Sequence, residues 1–469
     1  EPDPGESEIR WKVNWDHVTN DLPWGMRGIV QFQDFSDFEF FRDFERDFNQ
    51  TSLRFLDSRG HLSGNWGSHS LNVLVNERET FIDPTRTVSL SKLPEAEYRL
   101  RPTKLGPTPL YLTVDSALGF LSLDRSETAR SDYLRADLFP QLTLPVKLAP
   151  WLSTSFTAGQ RFTFYGDSLR TQEEIAELPP EELDLFSGDS LTRSVPAASA
   201  EIVGPSFSRI FEGGANRFKH VVEPRFTWAF LDDFEERDQI PLFDEIDGLD
   251  SNNLGRVALV NRLLAKPADR EGGSAREILL FELAQAFSFN EDEPLQRGRR
   301  ITVIDGEEVS VPVTRSAGPI IALLRFNPSD GLSLKTQVNY NTLFGEVEST
   351  QFSGFLNRGA DSLGITWFTR TLADVGETVG NQVRLTGSIG LVPNKLRLTS
   401  QLNYDLEQGL LQQQRHILDF TGSCYGLRFE ARDFTAGELR DTDFRLAVTL
   451  KNVGTFLDLT GGFSNRNEL

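Results

Sequence analysis

The residues best suited by type to do chemistry are carboxylates. Asp232, Asp233, Glu235, Glu236, Asp238 and Asp244 crowd into one stretch, and oxygen-rich clusters of this kind can bind hard divalent cations. Their spacing does not follow the twelve-residue calcium loop, and no glycine falls where that loop turns sharply. A solvated acidic loop is the expectation. Ser206 and Ser208 share a region with His220, but no nucleophile elbow, phosphate-binding loop or paired-histidine motif accompanies them. Neither an enzyme nor a bound cofactor is expected. His61 and His69 lie in a Gly/Ser-rich stretch and read as exposed polar residues. Arg27, Arg225, Arg384 and Arg397 carry planar forks that suit phosphate, yet each reads more simply as balancing a nearby carboxylate. Cys424 is the one cysteine, which excludes an internal disulfide and a cysteine-built zinc or iron–sulfur centre. Two readings stay open for it: a small buried apolar side chain, or a thiol whose partner lies outside the chain.

The elements that carry these residues are strands. Leu332, Leu334, Val338 and Tyr340 alternate with Ser333, Lys335, Gln337 and Asn339. The same period of two recurs at Val383–Leu391, at Leu396–Tyr404 and at Phe444, Leu446, Val448 and Leu450. Weaker copies run through Leu71–Val75, Leu152–Ala158 and Leu279–Phe289. Successive side chains of a strand point to opposite faces, so each run has one apolar and one polar face. Several runs last about ten residues and end in aromatics such as Tyr340 and Tyr404, the length and trim of a tilted strand crossing an outer membrane. The fold class read from this is all-β: one large antiparallel transmembrane β-barrel spanning residues 1–469. A propeller is the soluble rival, but no repeat of about 40–50 residues is present.

Composition agrees. Of the 469 residues, 38% are hydrophobic and 25% charged, too polar for a helical membrane protein and too apolar for a disordered one. The net charge of −21 repels nucleic-acid backbones, so no nucleic-acid partner is expected. Short turns such as 327–331 and 392–394 contrast with long polar connections at 167–194, 231–253 and 290–318, the last holding an extra hairpin about Asp305 and Gly306. Turns at one end and long loops at the other is an outer-membrane pattern.

Several segments, taken in order, resemble one family. His220-Val221-Val222-Glu223-Pro224-Arg225-Phe226 is followed by Asp238-Gln239-Ile240-Pro241-Leu242-Phe243-Asp244, then Asn261-Arg262, then Ser423-Cys424-Tyr425-Gly426-Leu427-Arg428. Weaker echoes lie at 30–47 and 138–145. Together they resemble the C-terminal barrel of the lipopolysaccharide-assembly outer-membrane proteins, the LptD family. The resemblance implies insertion of lipopolysaccharide into the outer leaflet of the outer membrane, through a polar lumen and out by a weakly paired seam. It also implies contact with outer-membrane lipids, an LptE-like lipoprotein plug and an LptA-like periplasmic bridge protein. By the same resemblance the family's N-terminal jellyroll and first strands lie outside this sequence, and Phe444, Leu446, Val448 and Leu450 mark the final strand, one side of the seam. The family's cysteine pair is here Ser423-Cys424, so Cys424 alone is left to form a disulfide to the missing N-terminal region. Glu223, Pro224 and Arg225 take a structural part in strand pairing. A general porin or nutrient-uptake channel is the alternative that the barrel pattern also allows.

Overall fold

The structure is a computed structural model that describes residues 10–36, 55–83, 86–125, 129–179, 183–213, 216–267, 274–304, 307–436, 439–451 and 454–465. Strands dominate it. The first eight are β1 (Lys12–Leu22), β2 (Met26–Phe35), β3 (Phe55–Trp66), β4 (His69–Asp83), β5 (Arg86–Lys104), β6 (Tyr111–Asp124), β7 (Arg130–Ala149) and β8 (Leu152–Tyr165). A six-residue helix, α1 (Gln172–Glu177), follows, then β9 (Leu191–Val203), β10 (Phe207–Gly213), β11 (Asn216–Leu231), β12 (Asn252–Pro267) and β13 (Arg276–Ser288). The hairpin β14 (Gln296–Ile304) and β15 (Glu307–Arg315) comes next, with β16 (Ala317–Ser329), β17 (Leu332–Asn341), β18 (Glu346–Arg358), β19 (Asp361–Leu372) and β20 (Glu377–Val392) after it. The series closes with β21 (Leu396–Asp405), β22 (Leu410–Thr421), β23 (Tyr425–Ala436), β24 (Leu439–Leu450) and β25 (Gly454–Asn465). Every alternating run read from the sequence lies on one of these strands, with only Phe289 falling just past the end of β13.

The chain divides into two compact units. The first holds residues 1–147, 154–201 and 228–253. In it β1 to β7 pair each with the next, all antiparallel. Alternating direction sends the turns at 67–68 and 105–110 to one end and the connection 166–190 to the other. Within it α1 opens on a capping box: Thr171 N donates to Glu174 Oε2 at 2.7 Å and Glu174 N returns a bond to Thr171 Oγ1 at 3.3 Å, satisfying two donors at the start of α1. The bond to Thr171 holds the Glu174 carboxyl below its usual range.

The second unit holds residues 148–153, 202–227 and 254–469. Here β12, β13, β16 and then β17 to β25 pair in succession, while β14 and β15 form a separate two-stranded sheet. That hairpin is the one expected in 290–318; Asp305 and Gly306 themselves lie outside the described residues, as do most of 30–47 and the end of the chain.

Register shows why the alternation matters. One cross-strand row reads Phe326, Leu334, Gly354, Ile365, Leu385, Leu402. The adjacent row, on the opposite face, reads Arg325, Lys335, Ser353, Thr366, Arg384, Asn403. The apolar face stays open: Leu363 is 57% exposed and Leu356 is nearly half exposed. Apolar surface this continuous suits hydrocarbon rather than water. No helix is long and apolar enough to cross a membrane among the described residues.

β24 corrects one expectation. It pairs along its length with both β23 and β25, so the strand carrying Phe444, Leu446, Val448 and Leu450 has neighbours on both sides and is not the final one. The alternation fades after Lys451 because Gly461 and Gly462 interrupt it, which hid β25 from a hydrophobic pattern. Phe444 and Leu446, each 40% exposed, lie on the open apolar face.

Candidate functional site

In the first unit, three neighbouring strands place one row of residues side by side: Glu95 on β5, Gly119 on β6 and Arg135 on β7. The middle position has no side chain. A Cβ there would stand 2.9 Å from the Glu95 Cβ, so only glycine leaves the lane through which Arg135 reaches Glu95, Nη2 to Oε1 at 2.9 Å. Both side chains are 1% exposed.

The acidic connection 232–251 folds down onto this row. Arg135 donates Nη1 to Asp244 Oδ1 and Nη2 to Asp244 Oδ2, both at 2.7 Å, a two-pronged pairing of the strong, orienting kind. Its Nη1 also reaches Asp247 Oδ2 at 2.8 Å. That oxygen accepts in addition from the backbone N–H groups of Phe243 and Asp244, at 3.0 and 3.2 Å. Lys92 sits between Glu95 and Asp244, 2.9 Å from the latter. Nearby, Arg193 Nη2 donates to Thr163 Oγ1 at 2.9 Å and to the carbonyl of Ile246 at 2.7 Å, and Arg161 forks onto Asp137 at 2.9 and 3.0 Å. Apolar residues of the connection finish the dock: Ile240 packs with Leu121, Tyr133 and Tyr165, with Phe234 and Phe243 against them.

Charge balances locally, with Lys92, Arg135 and Arg193 facing Glu95, Asp244 and Asp247. Burial works against an ionised Asp244, but the hydrogen bonds and charge of Arg135, then Lys92, overcome it and push its pKa down to about 2. Asp247 goes the other way: burial outweighs Arg135 and raises its carboxyl above the usual range.

This corrects the picture of a wholly solvated acidic loop. Asp232, Asp233, Glu235, Glu236 and Asp238 are indeed exposed, but Asp247 is fully buried and the Asp244 side chain is 13% exposed. The reason is partner supply: Arg135 and Lys92 offer fixed donors that repay the desolvation of two carboxylates. The docked segment Ile240–Asp247 overlaps the motif singled out in the sequence, whereas Glu95, Gly119, Arg135 and Arg193 went unremarked there.

Other residues fall out more simply. Glu223 and Arg225, two apart on β11 and so on one face, pair with each other, Arg225 Nε to Glu223 Oε1 at 2.7 Å. The Pro224 carbonyl accepts from Gly204 N at 2.8 Å. Arg384 Nε donates to Asn403 Oδ1 at 3.0 Å and Arg27 is exposed. His69 Nδ1 lies 2.8 Å from the Tyr98 hydroxyl, while His61 stands opposite Ile29 and Leu74. His220 faces Arg209 and bonds to neither serine among the described residues. No group of three His, Cys, Asp or Glu is arranged to hold a metal among those residues. Cys424, in the turn from β22 to β23, is an exposed free thiol, which removes the buried-apolar reading.

The family model for LptD, LPS transport system D, matches residues 8–364. The chain belongs to the LptD family. Two relatives, each named LPS-assembly protein LptD, are 24% identical: one from Nitrosospira multiformis over 92% of this chain and 44% of its own length, one from Alkalilimnicola ehrlichii over 95% and 57%. This LptD-family chain thus spans about half the length of those relatives. Among solved structures, the ferric enterobactin receptor PfeA of Pseudomonas aeruginosa aligns over 97% of this chain and 74% of its own, at 9% identity and a TM-score of 0.37, a loose likeness that says nothing of what this chain carries. Membership of the LptD family makes this an outer-membrane protein of the all-β, strand-spanning kind.

Proposed function

We propose that this chain is the membrane-spanning part of a translocon that assembles lipopolysaccharide into the outer leaflet of the outer membrane. The observation that carries the reading is the LptD match across residues 8–364. The two-faced strands support it: apolar rows meet lipid, and polar rows such as Arg325 to Asn403 give saccharides a wettable surface to pass. The docked connection 232–251 covers part of the polar face of β5 to β7, at the end away from the turns 67–68 and 105–110. No nucleotide-binding loop is present in the sequence, so the driving energy comes from partners: an LptA-like bridge delivers the glycolipid, and an LptE-like lipoprotein sits against the polar face. Cys424, exposed and unpaired here, bonds to a cysteine in the N-terminal region of the longer protein. The exit seam runs along β25, since β24 is paired on both sides.

Photo-crosslinking in cells making the full-length protein tests this. Probes at Thr399 and Gln401, on the polar face, are expected to capture lipopolysaccharide in an ATP-dependent way, with Leu398 and Leu402 as lipid-facing controls. Steady ion conductance in planar bilayers without any polar-face adduct would instead mean an ordinary channel.

A further inference from the structure

In the second unit the short-turn ends of β20 to β24 line an open cavity of about 590 Å³. Its wall carries Lys395, Arg397, Arg428 and Arg445 against one carboxylate, Asp419, among the described residues. In a chain of net charge −21 that is a local reversal of sign. Register builds it: Arg397, Asp419 and Arg428 occupy one cross-strand row, with the carboxylate between two guanidiniums.

Arg397 and Arg428 are each held through part of their donor set. Arg428 forks onto Asp419, Nε to Oδ1 at 2.7 Å and Nη2 to Oδ2 at 3.2 Å. Arg397 Nη1 donates to the Ala360 carbonyl at 2.7 Å and to Ser388 Oγ at 2.9 Å, with Asp361 3.8 Å away. Nη1 of Arg428 and Nη2 of Arg397 are left without an acceptor among the described residues. Fixed guanidinium donors with spare N–H groups, beside a lysine, make a receptor for an oxyanion with several acceptor oxygens. Phosphate has that geometry.

We propose that this cavity binds the phosphate of a phosphorylated glycolipid headgroup as it enters the polar face, an inference that rests on the conduit reading above. Free inorganic phosphate shares the chemistry, so the test separates the two.

A photo-crosslinking residue is placed at Thr421 or Thr449, on the cavity wall, and at Thr386 or Gln401, further along the polar face, in the full-length protein in cells. The expected result is glycolipid adducts at all of them. Adducts at Thr421 and Thr449 should fall about tenfold in the Arg397→Gln/Arg428→Gln double variant, the loss expected for charge-assisted hydrogen bonds. They should fall alike when the cells carry glycolipid stripped of its phosphates, with adducts at Gln401 kept. Heat-modifiable gel mobility checks that the double variant folds, and Lys395→Gln gives an independent, milder arm. Adducts at Gln401 and Thr386 that are absent at Thr421, or unchanged by phosphate removal, would overturn the subsite and leave the conduit reading standing. No adduct at any position would remove both. Saturable binding of inorganic phosphate to the purified protein, without glycolipid adducts at the cavity, would assign it to the free ion and overturn the proposal.

Discussion

Arg135 and Asp244 stand 109 residues apart in sequence and meet as a two-pronged pair, both prongs at 2.7 Å, with the guanidinium 1% exposed. That contact pins the acidic connection to the polar face of β5 to β7, and it sets how the connection can be released.

Removing the guanidinium leaves Glu95, Asp244 and Asp247 buried without their shared partner. Breaking such a network costs about 3–5 kcal/mol. For Arg135→Ala, amide exchange at Phe243 and Asp244 is therefore expected to speed up about 150- to 5,000-fold. Arg135→Lys, which keeps the charge and loses the fork, should fall between that and the parent protein. Unchanged exchange in the alanine variant would mean that Ile240 and Phe243 hold the connection by themselves.

The lane over β6 makes a separate demand. Gly119→Leu would fill the space between Glu95 and Arg135, where even a Cβ comes within 2.9 Å of Glu95. The expected outcome is an undocked connection with the strands intact, seen as fast exchange at Asp244 together with normal heat-modifiable gel mobility. A neutral effect would show that Arg135 reaches its partners by another route.

Acid should act late. Asp244 has a depressed pKa, about 2, so its contribution to docking is present above the ordinary carboxylate range and lost as pH falls through about 2. Asp247 is raised; taking up its proton first relieves a buried charge and does not release the connection. Exchange at Phe243 should thus stay slow at about pH 5 and accelerate only toward about pH 2. Release near pH 5 would contradict the assignment of Asp244 as the anchoring carboxylate.

Face parity predicts unequal tolerance to charge. Leu446→Arg puts a cation on the open apolar face and should cost about 2–4 kcal/mol if it lies at mid-bilayer, whereas Thr399→Arg on the polar face should be close to neutral. Reversible unfolding from lipid bilayers measures both. Equal costs would place the two residues in similar surroundings and undo the parity.

Cys424 offers a chemical test. In this chain by itself the exposed thiol should react readily with a maleimide. In the full-length protein extracted without reductant it should be protected, and become reactive after reduction; equal labelling in both states would rule out the disulfide.

The sequence alone determined the strongly alternating strands, their faces and the family. Alternation is a local property, because adjacent side chains must point to opposite sides of any strand, so Leu334 and Lys335 declare their faces without knowing their neighbours. Turn residues such as Asn394, with φ 57°, are equally local. Only the tertiary structure decided the docking of 232–251. An aspartate in an acidic stretch looks the same whether water or an arginine faces it, and what distinguishes Asp244 from Asp232 is a guanidinium delivered by a strand 109 residues earlier. Gly119 was silent for the same reason: its value is the space it leaves between Glu95 and Arg135, which exists only once β5, β6 and β7 lie side by side. β25 escaped notice because two glycines broke the hydrophobic pattern, while its backbone, free of that pattern, still completed the pairing with β24.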